Sequence, residues 1–143
     1  MLYNSFTVSY SVNSRGDEMK MEIQHLTFGE FIIRKRKEKE LSARQLAIAA
    51  KITPEYMCEI EKGRKTAVSD DIMDRLIHAL ALTEKDTETF YDLAAIARNT
   101  VSKDLPEYIM SHELLRAAIR TAKKHKIPDE KWEKFINEII REE

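Results

Sequence analysis

One cysteine, three glycines and three prolines are all that this 143-residue chain holds of the residues that cross-link or punctuate a fold. A single thiol, Cys58, can build neither an intramolecular disulfide nor a cysteine-based metal site, and it weakly favours a reducing compartment. No apolar run approaches the roughly 20 residues that span a bilayer. The start of the chain lacks the basic-then-apolar layout of a secretory signal. The expectation is a cytoplasmic protein with no membrane partner. A Gly-rich phosphate loop is missing too, and the four histidines, His25, His78, His112 and His125, are scattered. "SHELLR" has His-Glu but lacks the second His four residues on that a zinc-protease motif needs. No His stands at local spacing from Cys58 to make a nucleophile pair. The residues therefore give no catalytic group, no metal site and no cofactor, and the chain is not expected to be an enzyme.

Net charge is nearly absent as well, at −1, but the average conceals a partition. Residues 27–66 hold ten Lys and Arg against six Asp and Glu, a net +4. Residues 67–104 hold four against eight, and 105–143 eight against eight. A basic segment inside a neutral protein is what local phosphate binding needs, although a lysine-rich solvated helix face gives the same count.

What the chain does contain is helix-forming: Leu, Ala, Ile, Glu and Lys in quantity, with 43% apolar residues, enough for one core. The expected fold is all-α. Residues 1–26 read differently. Phe6, Val8, Tyr10 and Val12 alternate with polar residues, the period of a half-buried strand. No partner strand is evident, so this segment is expected to be a flexible tail, or a strand pairing with another chain, with Met19 or Met21 as an alternative start.

From Thr27 the helical signals follow closely. Thr27 caps a helix to about Glu40 with Phe28, Phe31 and Ile32 inward. Ser42 caps "ARQLAIAAK", with Leu46, Ala47 and Ala50 inward. Thr53 and Pro54 stand at the N-cap and first position of a third helix, which Gly63 closes after Met57 and Ile60. Ser69 opens a fourth through Ile72, Leu76, Ala79 and Leu80, and a fifth runs from about Glu84 to Arg98. The segment "NTVSKDLPEY" reads as a polar connector. Two amphipathic helices complete the chain, roughly 111–125 and 129–141, the last with Trp132, Phe135, Ile136, Ile139 and Ile140 at helical spacing. The organisation is a tail at 1–26, a helical domain at 27–98 and a C-terminal helical extension at 99–143.

The second and third helices, only three residues apart, have the helix-turn-helix layout in which the second member enters the major groove. Moreover, "LSARQLAIAAKITPEYMCEIEKGRK" resembles the helix-turn-helix of the Xre/Cro family of prokaryotic and phage repressors. The family pattern runs L-[ST]-x-x-x-L-A, then a turn, then a helix ending I-E-x-G; Leu41, Ser42, Leu46, Ala47, Ile60, Glu61 and Gly63 match it. The likeness extends over about 27–83, and the remainder looks like the tail of a subgroup of such regulators.

The resemblance implies a five-helix DNA-binding bundle and assigns roles. Arg36 and Glu61 occupy the positions of a structural ion pair. Thr53, Pro54, Glu55, Tyr56 and Glu59 fall where bases are read in double-stranded DNA. Arg34, Lys35, Ser42, Arg44, Lys62, Arg64 and Lys65 fall where phosphates are met. The chain departs from the best-known members in carrying Ala43 where Gln is frequent and carboxylates where Gln or Arg read bases. Carboxylates can accept from cytosine N4, and a Tyr ring can meet a thymine methyl. The implied function is a transcriptional regulator, a repressor binding a pseudo-palindrome as a homodimer, with Trp132, Phe135, Ile136, Ile139 and Ile140 as the candidate dimer interface. Those residues can equally fill a core of their own. The alternative from another class is a protein-interaction module, such as an antitoxin or a phage-encoded inhibitor, that grips a protein partner through the helical tail.

Overall fold

The computed structural model describes residues 7–11, 20–24 and 26–142. Two strands, β1 (Thr7–Ser11) and β2 (Lys20–Gln24), pair into a two-stranded sheet. This corrects the expectation that the alternating N-terminal stretch has no partner in its own chain. The partner, "KMEIQ", alternates Met21 and Ile23 with polar residues over too short a run to stand out. The expectation of a flexible tail otherwise falls on residues outside those described.

The rest of the fold is all-α. Eight helices follow among the described residues: α1 (Phe28–Glu38), α2 (Ala43–Ala49), α3 (Pro54–Glu61), α4 (Asp70–Ala79), α5 (Glu84–Arg98), α6 (Pro106–Ser111), α7 (Glu113–His125) and α8 (Asp129–Arg141). The chain divides into two units, the first containing α1–α5 through Asp104 and the second containing α6–α8 from Leu105.

In the first unit, each helix begins on a hydroxyl that accepts an otherwise unpaired N–H of the first turn: Thr27, Ser42, Thr53, Ser69 and Thr83. Thr27 with Glu30 and Ser42 with Gln45 form reciprocal capping boxes. The core these helices enclose is built from Ile32, Leu46, Met57, Ile60, Leu76 and Phe90, all without solvent exposure. Burying each contributes about 1.5–3 kcal/mol. Phe90 of α5 sits edge-on to Phe28, 4.9 Å between ring centroids, and 6.5 Å from Phe31, which fastens α5 to α1.

Helix ends are unusual in their chemistry. Glu40, Lys51, Gly63, Ala81 and Asn99 all have positive φ, and each is followed by an N–H that reaches back to the carbonyl five residues earlier, as in Leu41 to Arg36 and Ile52 to Ala47. These are Schellman closures, which glycine usually provides; here only one of the five is glycine. The segment after α5 stays with the first unit. Ser102 is buried and its hydroxyl donates to the Asp92 carboxylate, and Lys103 lies 3.3 Å from Asp74.

The second unit is different in kind. No residue of α6, α7 or α8 is buried. The short helix α6, started by Pro106 within what reads as a polar connector, packs on α7. Arg116 of α7 donates to the carbonyl oxygens of Ile109 and Met110 at the end of α6. The ring of Tyr108 stacks on His112 at 4.2 Å, and Trp132 meets Phe135 edge-on at 6.5 Å.

Candidate nucleic-acid interface

An eight-residue helix is marginal in water by itself, so α3 must be held from outside. It is held at both ends and along one side. At its start the Thr53 hydroxyl oxygen accepts the Tyr56 N–H at 3.1 Å and Pro54 supplies the first helical φ. At its end Gly63 takes φ 75°, its N–H donating to the Ile60 carbonyl at 3.0 Å and that of Arg64 to the Glu59 carbonyl at 2.9 Å. Nothing crowds the Gly63 Cα, so it is the backbone conformation that calls for glycine there. Met57 and Ile60 face inward with no exposure, and α2 and α3 pack together more extensively than any other pair of helices.

Three further contacts fix the pose of α3. Arg36 of α1 grips the Glu61 carboxylate with two hydrogen bonds, Nε to Oε1 at 2.6 Å and Nη2 to Oε2 at 3.2 Å, while its Nη1 donates to the Leu41 carbonyl at 3.4 Å. The pair is mostly removed from water, so losing either partner would strand a charge. Gly29 of α1 brings the two backbones into contact. A Cβ placed there would lie 2.2 Å from the Glu61 carbonyl oxygen and 2.7 Å from that of Ile60. Finally, Arg75 of α4 donates from Nε to the Ala50 carbonyl at 2.7 Å, tying α4 to the turn between α2 and α3.

Arg75 and Gly29 were not singled out by sequence. Nothing local marks Arg75, whose partner is 25 residues away. Gly29 does leave a trace, since a glycine inside a helical pattern costs about 1 kcal/mol and usually records a close approach.

The residues expected to read bases do not share one environment. Thr53, Pro54 and Glu55 are exposed at the front of α3. Tyr56 departs from the outward orientation expected of it: it is half-buried against the core, with Lys65 Nζ 5.3 Å from its ring centroid. Glu59 is half-buried and its Oε1 accepts from Arg64 Nη1 at 3.0 Å. The carboxylate that would repel phosphate is thus paired with a cation expected to attract it.

Among the expected phosphate contacts, Arg34, Arg44, Lys62, Arg64 and Lys65 are exposed. Lys35 is placed elsewhere. Its ammonium lies 3.1 Å from Asp86 of α5 and 3.2 Å from Glu38, joining α1 to α5. Burial opposes its charge, but the hydrogen bonds and charges of Asp86 and Glu38 outweigh that and raise its pKa above the usual lysine value. Ser42 is occupied as well, with its oxygen accepting from Gln45 and its own N–H donating to the Gln45 side chain at 2.8 Å. Trp132, Phe135, Ile136, Ile139 and Ile140 lie on α8 in the second unit.

Among the described residues no cluster of side chains is arranged to hold a metal ion, and no helix is long and apolar enough to cross a membrane. Compared with protein-family models and with curated proteins, the chain matches none. Among solved structures it is similar to the clp gene regulator ClgR from C. glutamicum, at 29% identity over 55% of this chain and 90% of that one, with a TM-score of 0.38.

Proposed function

We propose that this chain is a sequence-specific DNA-binding transcriptional regulator, a repressor of the Xre/Cro kind, that places α3 in the major groove and binds a pseudo-palindromic operator as a homodimer. The observation that carries the reading is the rigid presentation of α3. Its inner side, both ends and its partner α2 are all fixed, while Thr53, Pro54 and Glu55 stay exposed. A groove about 12 Å wide admits one helix and offers distinguishable base edges only to a helix held in register. Arg34, Arg44, Lys62, Arg64 and Lys65 supply exposed cations for phosphates. Lys35 and Ser42 are left out of that set because each already has an intramolecular role.

Glu55 is the cleaner candidate for base contact. Glu59 holds Arg64, so altering it also releases a cation. On binding DNA, Arg64 can exchange the Glu59 carboxylate for a phosphate, which leaves Glu59 able to accept from a base.

The test is titration of the full chain against duplexes selected from a random pool, repeated across salt concentrations. Log affinity is expected to fall linearly with log salt, and Lys62→Ala, Arg64→Ala or Lys65→Ala each to flatten the slope by about one unit. Glu55→Ala is expected to change which duplexes are selected while leaving the slope in place. Absence of binding to any pool, or binding indifferent to salt, overturns the proposal.

A further inference from the structure

The apolar face of the second unit is the largest feature that α3 does not explain. Leu114, Ile119, Phe135, Ile139 and Ile140 are between 38% and 86% exposed, and nothing in α7 or α8 is buried. Single exposed hydrophobics are ordinary, but a stripe continued along two successive helices marks a surface meant to be covered.

Charge indicates what covers it. Residues 113–126, spanning α7, hold five Lys and Arg and one carboxylate, whereas residues 127–142, spanning α8, hold three Lys and Arg and five carboxylates. At 100° per residue, Arg116 and Lys123 border the stripe of α7, while Asp129, Glu133 and Glu142 border that of α8, with Lys131 the one cation there. Among the described residues, no ion pair engages any of these charges. The two helices are therefore complementary in sign and alike in their exposed apolar residues, and among the described residues neither charge set meets a counter-charge, Arg116 donating only to carbonyls at the end of α6.

We infer that this face takes a second copy of the chain, with α7 of each protomer laid against α8 of the other. Two-fold pairing presents every such contact twice, so one arrangement buries both stripes and opposes both charge sets. The inference rests on the two-fold part of the proposed function and names the surface that produces it. It is tested without DNA, so its failure and the failure of the α3 reading are separable.

The experiment is sedimentation equilibrium of the full-length chain over a concentration series. Five samples are compared: wild type, Lys123→Glu, Glu133→Lys, an equimolar mixture of these two variants, and Phe135→Gln. Wild type is expected to dimerise, each reversal to weaken the dimer about tenfold, and an equimolar mixture of the two variants to recover wild-type affinity, because the mixed dimer restores both opposite-sign contacts. Phe135→Gln, which leaves the charges in place, is expected to weaken the dimer as well; it supplies an independent arm if either reversal loses helicity by circular dichroism. A wild-type chain that stays monomeric overturns the inference and leaves the face to a different protein. A dimer insensitive to Phe135→Gln and to both reversals places the interface elsewhere, and reversals that weaken the dimer without rescue on mixing exclude the α7-to-α8 pairing.

Discussion

Helices α1–α5 share amphipathic spacing with α7 and α8, yet the stripes of the first set end in side chains without solvent exposure, while no residue of α6–α8 is buried. In the first unit each apolar face meets another face of the same chain, and the polar groups meet one another too: Arg36 with Glu61, Lys35 with Asp86, Arg75 with the Ala50 carbonyl. In the second, α7 and α8 have regular stripes and charged flanks that engage no counter-charge among the described residues. Amphipathic spacing states that a face requires cover; it does not state what provides it. The difference between the units is one of partners and of helix starts, since the five hydroxyl caps of the first have no counterpart in α6, α7 or α8.

The largest expected effect that would break this comparison comes from two phenylalanines. Phe90→Ala removes a fully buried ring packed on Phe28 and is expected to cost about 3–5 kcal/mol in denaturant unfolding. Phe135, half exposed, is expected to cost less than about 1 kcal/mol when truncated to Ala in dilute, monomeric protein, with its effect emerging as concentration rises. Equal losses at low concentration would show that the second unit has a core of its own.

A smaller effect sharpens the contrast in charge. Glu61→Ala is expected to cost about 3 kcal/mol by stranding Arg36, with Arg36→Met in the same chain recovering part of it. Additive losses in the double variant would remove the pair from the list of contacts that position α3. Loss of DNA binding in Glu61→Ala is then a loss of helix pose, not of a base contact.

The smallest concerns Lys35. Its pKa is higher in the folded chain than the ordinary 10.5, so its contribution is fully present below 10.5 and is lost as pH rises through the raised value. Comparing wild type with Lys35→Met in urea, the difference is expected to be below about 1 kcal/mol at neutral pH and to vanish in strong alkali. A difference that persisted there would be packing on Phe31, whose ring centroid lies 5.7 Å from the ammonium, and not charge.

Much of the first unit was legible in sequence because its signals are local. Hydroxyl caps at Thr27, Ser42, Thr53 and Ser69 sit where helices begin, and residues such as Phe31, Leu46, Met57 and Leu76 recur at helical spacing. Helix ends were harder to read, since Glu40, Lys51, Ala81 and Asn99 close helices without the glycine that would announce them. Strand β2, and with it the pairing of β1, and the helix α6 escaped because five or six residues are too few for a period to show. Of the site, the α2–α3 pair and the Arg36–Glu61 positions were readable through the resemblance. What was not readable depends on distance in space: the packing of half-buried Tyr56 against the core, the capture of Arg64 by Glu59, the diversion of Lys35 to Asp86 and the tie from Arg75 to Ala50.

The contact of α1 and α3 through Gly29 has a consequence for how such a chain can diverge. Because the backbones themselves touch, with the Glu61 carbonyl where a side chain at position 29 would begin, the seat of α3 depends little on what its outer face carries. Position 29 is closed to a side chain unless the two backbones part, and Thr53 and Pro54 also start the helix, whereas Glu55 is exposed and makes no contact that seats α3. A lineage built this way can explore new surface chemistry at the front of the helix through single substitutions, each tried on an unchanged mount. The freedom of the variable face is inherited from the rigidity of one invariable position behind it.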